Sequence, residues 1–86
     1  MFSREITIKN PTGLHARPAS QLTALCKKFP NEIMLQIGEH EVDPKSIISV
    51  LTAGIKCGSV IKVNVDGENA QAVVEELTAF LEGLVE

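Results

Sequence analysis

The sequence predicts an α+β domain in which a single β-sheet carries all of its helices on one face. Two features of the chain lead there. Apolar residues alternate with a period of two in three segments, and they recur every three or four residues in two others, with a short apolar helix between. The resulting order is strand, helix, strand, strand, helix, strand, helix. One apolar stripe per helix and one apolar face per strand pack most economically as two layers, which leaves the other sheet face polar.

The first segment, FSREITIKN, sets Phe2, Ile6 and Ile8 on one face and Ser3, Glu5, Thr7 and Lys9 on the other, with Arg4 interrupting. That is a half-buried strand. From Ala16 the period changes: Ala19, Leu22, Cys26 and Phe29 form the stripe of an amphipathic helix that Pro30 and Asn31 end. EIMLQI alternates again, with Ile33, Leu35 and Ile37 inward, and Gly38-Glu39 turns the chain into a short return strand at His40 to Val42. Asp43-Pro44 breaks that strand. SIISVLT then reads as a short helix with Ser46 as N-cap and Gly54 as its stop. VIKVNVDG turns Ile61, Val63 and Val65 to one face, and Asp66-Gly67 leads into a last helix with Val73, Leu77, Phe80, Leu81 and Leu84 in its stripe. The polar sheet face then carries Glu5, Thr7, Gln36, Lys62 and Asn64.

The 86 residues, 44% of them apolar, make one domain, residues 1–86, with enough apolar content for a core that needs no metal or disulfide. No window approaches the roughly 18 uninterrupted apolar residues of a membrane helix, and MFSREITIKN lacks the positively charged region followed by an apolar stretch that a secretory leader shows. A cytoplasmic protein without membrane insertion is expected. Cys26 and Cys57 fit neither a CxxC nor a zinc spacing and are expected to be reduced thiols. Cys26 belongs to the apolar stripe, and Cys57 to an exposed loop where it could be oxidised. A net charge of −3, with three phenylalanines and no other aromatic residue, argues against nucleic acid as a partner. His40, between Glu39 and Glu41, is read as a solvated surface residue, and no metal site is expected.

The stretch NPTGLHARPAS, from Asn10 to Ser20, carries the chemistry. Pro18 suits a first helical turn, which makes His15 the expected N-cap. The amides of Ala16 and Arg17 belong to that first turn, whose N–H groups the helix itself does not engage, and they would point toward whatever the histidine carries. The positive helix end and the Arg17 guanidinium add to them, so three features converge on an anion. Gly13 is expected to keep the approach free of side chains. The anion is either a permanent one or one attached covalently to the ring, because a neutral imidazole is favoured at a positive helix end and can attack phosphorus. A capping histidine and a solvated arginine would account for the same residues without any function.

The whole string decides between these readings by resemblance. GLHARPA, together with Lys45-Ser46-Ile47, the chain length and the element order, resembles the HPr family, the histidine-containing phosphocarriers of the bacterial phosphotransferase system. The resemblance implies an open-faced β-sandwich, a four-stranded antiparallel sheet of order 1-4-2-3 covered on one face by three helices. It implies that His15 accepts a phosphoryl group on Nδ1 from phosphorylated enzyme I and passes it to a histidine on a sugar-specific enzyme IIA. Arg17 would stabilise the group during transfer. No nucleotide loop or magnesium cluster is present, so the chain is expected to be a carrier and not an enzyme, with no cofactor. The alternatives are a regulatory binding module that recruits a transcription regulator or an enzyme, and a carrier of a nitrogen-related branch. A monomer is the simplest form for a carrier with successive partners.

Ile47, Ile48, Val50 and Leu51 cannot all be buried by so short a helix. The resemblance assigns docking to Ile47, Ile48 and Leu51, with Ser20, Gln21, Ala24 and Lys27 on the first helix, and leaves Val50 to the core. Many relatives carry lysine at the position of Ala24, so attraction to an acidic partner is expected to be weaker here. Ser46 suffices as a cap, and the resemblance adds phosphorylation by an HPr kinase/phosphorylase as a regulatory step.

Overall fold

A computed structural model describes residues 1–85. It contains β1 (Phe2–Thr7), α1 (Ala16–Lys27), β2 (Ile33–Ile37), β3 (His40–Val42), α2 (Ile47–Thr52), β4 (Val60–Val65) and α3 (Ala70–Glu82), in the order expected. The sheet has the order β1-β4-β2-β3 and every neighbouring pair is antiparallel. β4 is the last strand in the chain yet lies inside the sheet, where Val63 stands opposite Arg4 on one side and Leu35 on the other. Its composition suits that place: Ile61, Val63 and Val65 are fully buried, and their β-branched side chains pack well on a pleated surface.

Alternation along the strands separates the two faces. Ile6, Ile33 and Leu35 join the β4 residues beneath the helices, whereas Glu5, Thr7, Gln36 and Lys62 are exposed on the open face and Asn64 is half-buried there. On that face Ser3 Oγ donates to Asn64 Oδ1 at 2.6 Å.

α1 packs between α2 and α3, and α3 lies over β1 and β4. The buried stripe of α1 is Pro18, Ala19, Leu22, Thr23 and Cys26, and that of α3 is Val73, Val74, Leu77, Thr78 and Leu81. Both are wider than the sequence pattern alone suggests, because a threonine shares the packed face of each helix. The last helix also ends earlier than its apolar pattern: Glu82 closes it and Gly83 follows, so Leu84 is half-buried against the core from outside the helix. Burial pushes the Cys26 thiol up to about 12, with nearby Lys45 opposing and Asp43 adding to the shift.

α1 ends at Lys27, and i to i+3 bonds from Lys28 to Leu25 and from Phe29 to Cys26 tighten its exit. Two side chains secure that exit. Lys45 Nζ donates to the Phe29 and Asn31 carbonyls at 2.9 and 2.7 Å, and Asn31 Nδ2 donates to the carbonyls of Asp66 and Glu68, both at 2.8 Å. The loop before α2 and the turn before α3 are thereby tied to the end of α1.

Candidate functional site

The site begins in the connection from β1 to α1. The Asn10 side chain donates to Gly13 O at 2.8 Å and the Gly13 amide donates to Asn10 O at 3.2 Å, which closes a turn over Pro11 and Thr12. Leu14 then donates to Ile55 O at 3.0 Å and buries its side chain, so the chain is fixed on both sides of the residue that follows it. Gly13 has φ +62°, and a Cβ there would stand 2.5 Å from Ile55 O and from Lys56 Cα. Its missing side chain therefore serves close contact with the 55–56 backbone. The sequence reading, that Gly13 clears the approach to the histidine, is corrected on this point: the clearance faces inward.

His15 is the N-cap of α1, as expected, with extended backbone at φ −81° and ψ −170°. Its ring makes no capping hydrogen bond and its side chain is exposed, so the imidazole is presented to solvent at the positive end of a 12-residue helix. Ala19 N–H is the amide that returns to His15 O, at 2.9 Å, and Pro18 has no N–H to offer. Ala16 and Arg17, both exposed, form the rim of the helix entrance. A cleft of about 230 Å³ adjoins it, between Arg17, Pro18 and Gln21 on α1 and Gly83 to Val85 behind α3.

The other expected residues fall on two adjoining surfaces. Ser20, Gln21, Ala24 and Lys27 are all exposed on α1, at helical spacings that continue the line from Arg17. On α2, Ile48 and Leu51 are 66% and 39% exposed while Val50 is fully buried. Ile47 differs from its two neighbours: it is half-buried and packs on the core, so it contributes less to the open apolar patch than the sequence reading gives it. Ser46 caps α2, its Oγ accepting from Ser49 N–H at 3.3 Å. Ser49 Oγ in turn accepts from Asp43 N–H at 3.0 Å.

α2 reaches the histidine through the segment that follows it. Gly54, at φ +65°, turns the chain out of the helix, Ile55 is buried, and Gly58 N–H bonds to Ile8 O at 2.7 Å while Ile8 N–H bonds to Ser59 O at 2.8 Å. Sequence reasoning missed Asn10 and Ile55 as supports of the site. The Asn-Pro-Thr-Gly turn was a usable signal for the first; Ile55 has none, because its role is a backbone contact far along the chain.

His40 is exposed on β3, Cys26 is fully buried and Cys57 is an exposed free thiol. Among the described residues no group of three His, Cys, Asp or Glu side chains could hold a metal ion, and no helix is long and apolar enough to cross a membrane.

A family model described as "PTS HPr component phosphorylation site" matches residues 2–83. The chain is 35% identical over 81 residues to the phosphocarrier protein HPr of Buchnera aphidicola subsp. Acyrthosiphon pisum, a match that covers 94% of this chain and 95% of that one. It is 34% identical to the multiphosphoryl transfer protein of Xanthomonas campestris pv. campestris over 93% of this chain, which is 10% of that longer protein. In structure it resembles HPr-C-His from Thermoanaerobacter tengcongensis, with a TM-score of 0.90 and 33% identity over 95% of this chain and 92% of that one. An HPr dimer from the same organism matches at 0.73, with the same identity over 95% and 94% of the two chains.

An open-faced sandwich with a histidine at a helix entrance defines the class of small phosphocarrier proteins. Within that class the chain belongs to the HPr family of the phosphotransferase system.

Proposed function

We propose that this chain carries a phosphoryl group on His15, taking it from phosphorylated enzyme I and giving it to a sugar-specific enzyme IIA. The observation that carries the reading is the position of the ring: exposed, at the N-cap of α1, and not used as a cap. In the neutral tautomer with its proton on Nε2, the Nδ1 lone pair attacks phosphorus. An N–P bond forms, the bond to the donor's nitrogen breaks, and the donor ring keeps that electron pair and leaves as a neutral imidazole protonated on its other nitrogen. The same exchange in reverse loads the acceptor histidine.

Arg17 supplies a fixed cation beside the transferring oxygens, and the first-turn amides of Ala16 and Arg17 add donors at the positive helix end. Docking through Ser20, Gln21, Ala24 and Lys27 on α1 and Ile47, Ile48 and Leu51 on α2 would bring each partner's histidine to the same entrance. Ser46 is the proposed regulatory position, for an HPr kinase/phosphorylase where the organism has one, and a transcription regulator is a further partner in that case. The carrier acts as a cytoplasmic monomer with no turnover of its own.

Intact mass after incubation with phosphoenolpyruvate, magnesium and enzyme I tests the reading. A phosphoryl adduct lost in brief acid treatment, present on wild type and absent on His15→Ala, is expected. No adduct with an enzyme I that charges another carrier would overturn carriage from a general enzyme I.

A further inference from the structure

At the far end of α1 from His15, about 18 Å along the helix axis, a groove of about 370 Å³ opens between the α1 exit and the first turns of α3. Phe29 and Pro30 form one wall, Ala72 and Val73 the other, so its body is apolar. Its polar lining is two carboxylates and two amides, those of Asn31 and the exposed Asn69. Glu68 and Glu76 are exposed at the rim. Asn31, 7% exposed, has its amide nitrogen committed to the Asp66 and Glu68 carbonyls, which fixes the amide orientation and leaves Oδ1 as the group that side chain has to offer. Lys45 approaches from the neighbouring side, where its ammonium is held by the carbonyls of Phe29 and Asn31. From Asp66 onward the chain has carboxylates and no lysine or arginine, so nothing on α3 itself neutralises the rim.

An apolar trough whose charged lining is the two carboxylates of Glu68 and Glu76 complements a segment with an apolar side chain between cationic ones. It does not complement an acidic surface. We infer that this groove is a second docking surface, for a lysine- or arginine-flanked apolar segment of a partner protein. It lies apart from the histidine entrance, so it goes beyond the phosphoryl relay and does not depend on it.

The test is a titration of the isotope-labelled protein, followed by amide NMR, with a short synthetic peptide alternating lysine and leucine, and with its glutamate counterpart. Saturable shifts confined to Asn31, Ala72, Val73 and Glu76, absent at Ile48 and Leu51 and absent with the glutamate peptide, are expected. A Glu68→Gln/Glu76→Gln double variant should weaken binding by about fivefold, and Ala72→Arg should abolish it without altering the fold's amide spectrum elsewhere. Shifts spread over all acidic surfaces alike, shifts centred on α1 and α2, equal binding of the two peptides, or no binding would each overturn the inference.

Discussion

Gly13 lies against Lys56 so closely that a Cβ on the glycine would stand 2.5 Å from the lysine Cα, and the contact holds together the two loops that flank His15. With φ at +62° the residue is strained for any L side chain as well. Gly13→Ala should therefore cost about 2–4 kcal/mol, read by urea denaturation, and should slow phosphoryl acceptance beyond what the unfolded fraction explains. An alanine variant as stable and as active as wild type would show that the loop moves freely.

Ser46 separates a structural role from a regulatory one. Ser46→Ala removes the acceptor for Ser49 N–H and should cost about 1 kcal/mol with transfer through His15 unchanged. Ser46→Asp keeps an acceptor at the cap while placing a negative charge beside the exposed Ile48, so stability should hold and transfer should slow by about tenfold. Equal transfer rates for the aspartate variant and wild type would remove the regulatory reading.

Ile48 and Val50 are two residues apart and should behave oppositely. Ile48 is 66% exposed, so Ile48→Ala should alter stability by no more than about 0.5 kcal/mol while raising the KM of enzyme I for this carrier. Val50 is fully buried, so Val50→Ala should cost about 2 kcal/mol and leave that KM unchanged once folded protein is counted.

Thr23 and Thr78 each bury a hydroxyl that finds no hydrogen-bond partner among the described residues. An unsatisfied buried hydroxyl is a cost that a methyl group of the same shape removes. Thr23→Val and Thr78→Val should each raise the denaturation midpoint, by about 1 kcal/mol in stability; a loss of stability would reveal water-mediated bonds to these groups.

Cys26 and Cys57 should differ in reactivity and in pH response. A thiol reagent should label Cys57 in the native protein and Cys26 only on unfolding, because Cys26 is fully buried. Cys26 is pushed from 9.0 to about 12, so above pH 9 the unfolded chain loses a proton that the folded chain keeps. Its contribution to stability is fully present below pH 9 and falls as pH rises toward 12. Cys26→Ala should flatten that part of the stability profile relative to wild type.

Element identity was legible because it is decided over a few residues at a time. The change from the alternation of Phe2 to Ile8 to the spacing of Ala19, Leu22 and Cys26 needs no partner to be visible, and neither do the caps His15 and Ser46. The histidine, the proline and the arginine that make the candidate site are likewise adjacent in the chain, so its chemistry could be read from one string. Strand order could not be derived this way: β4 lies between β1 and β2 through pairings some sixty and thirty residues apart, and the periodicity of each strand is the same whichever neighbour it takes. That order came from resemblance to the HPr family, and the structure agrees with it.

By itself, then, the sequence determined the α+β class, the succession of elements and the ring at the entrance of α1, all of which rest on local spacing. Tertiary structure alone decided which way the absent side chain of Gly13 faces, how far Ile47 sinks into the core beside the exposed Ile48, and where Asn31 spends its amide. Each of those depends on a backbone that arrives from a distant part of the chain, and close packing lets such a neighbour settle what local preference leaves open.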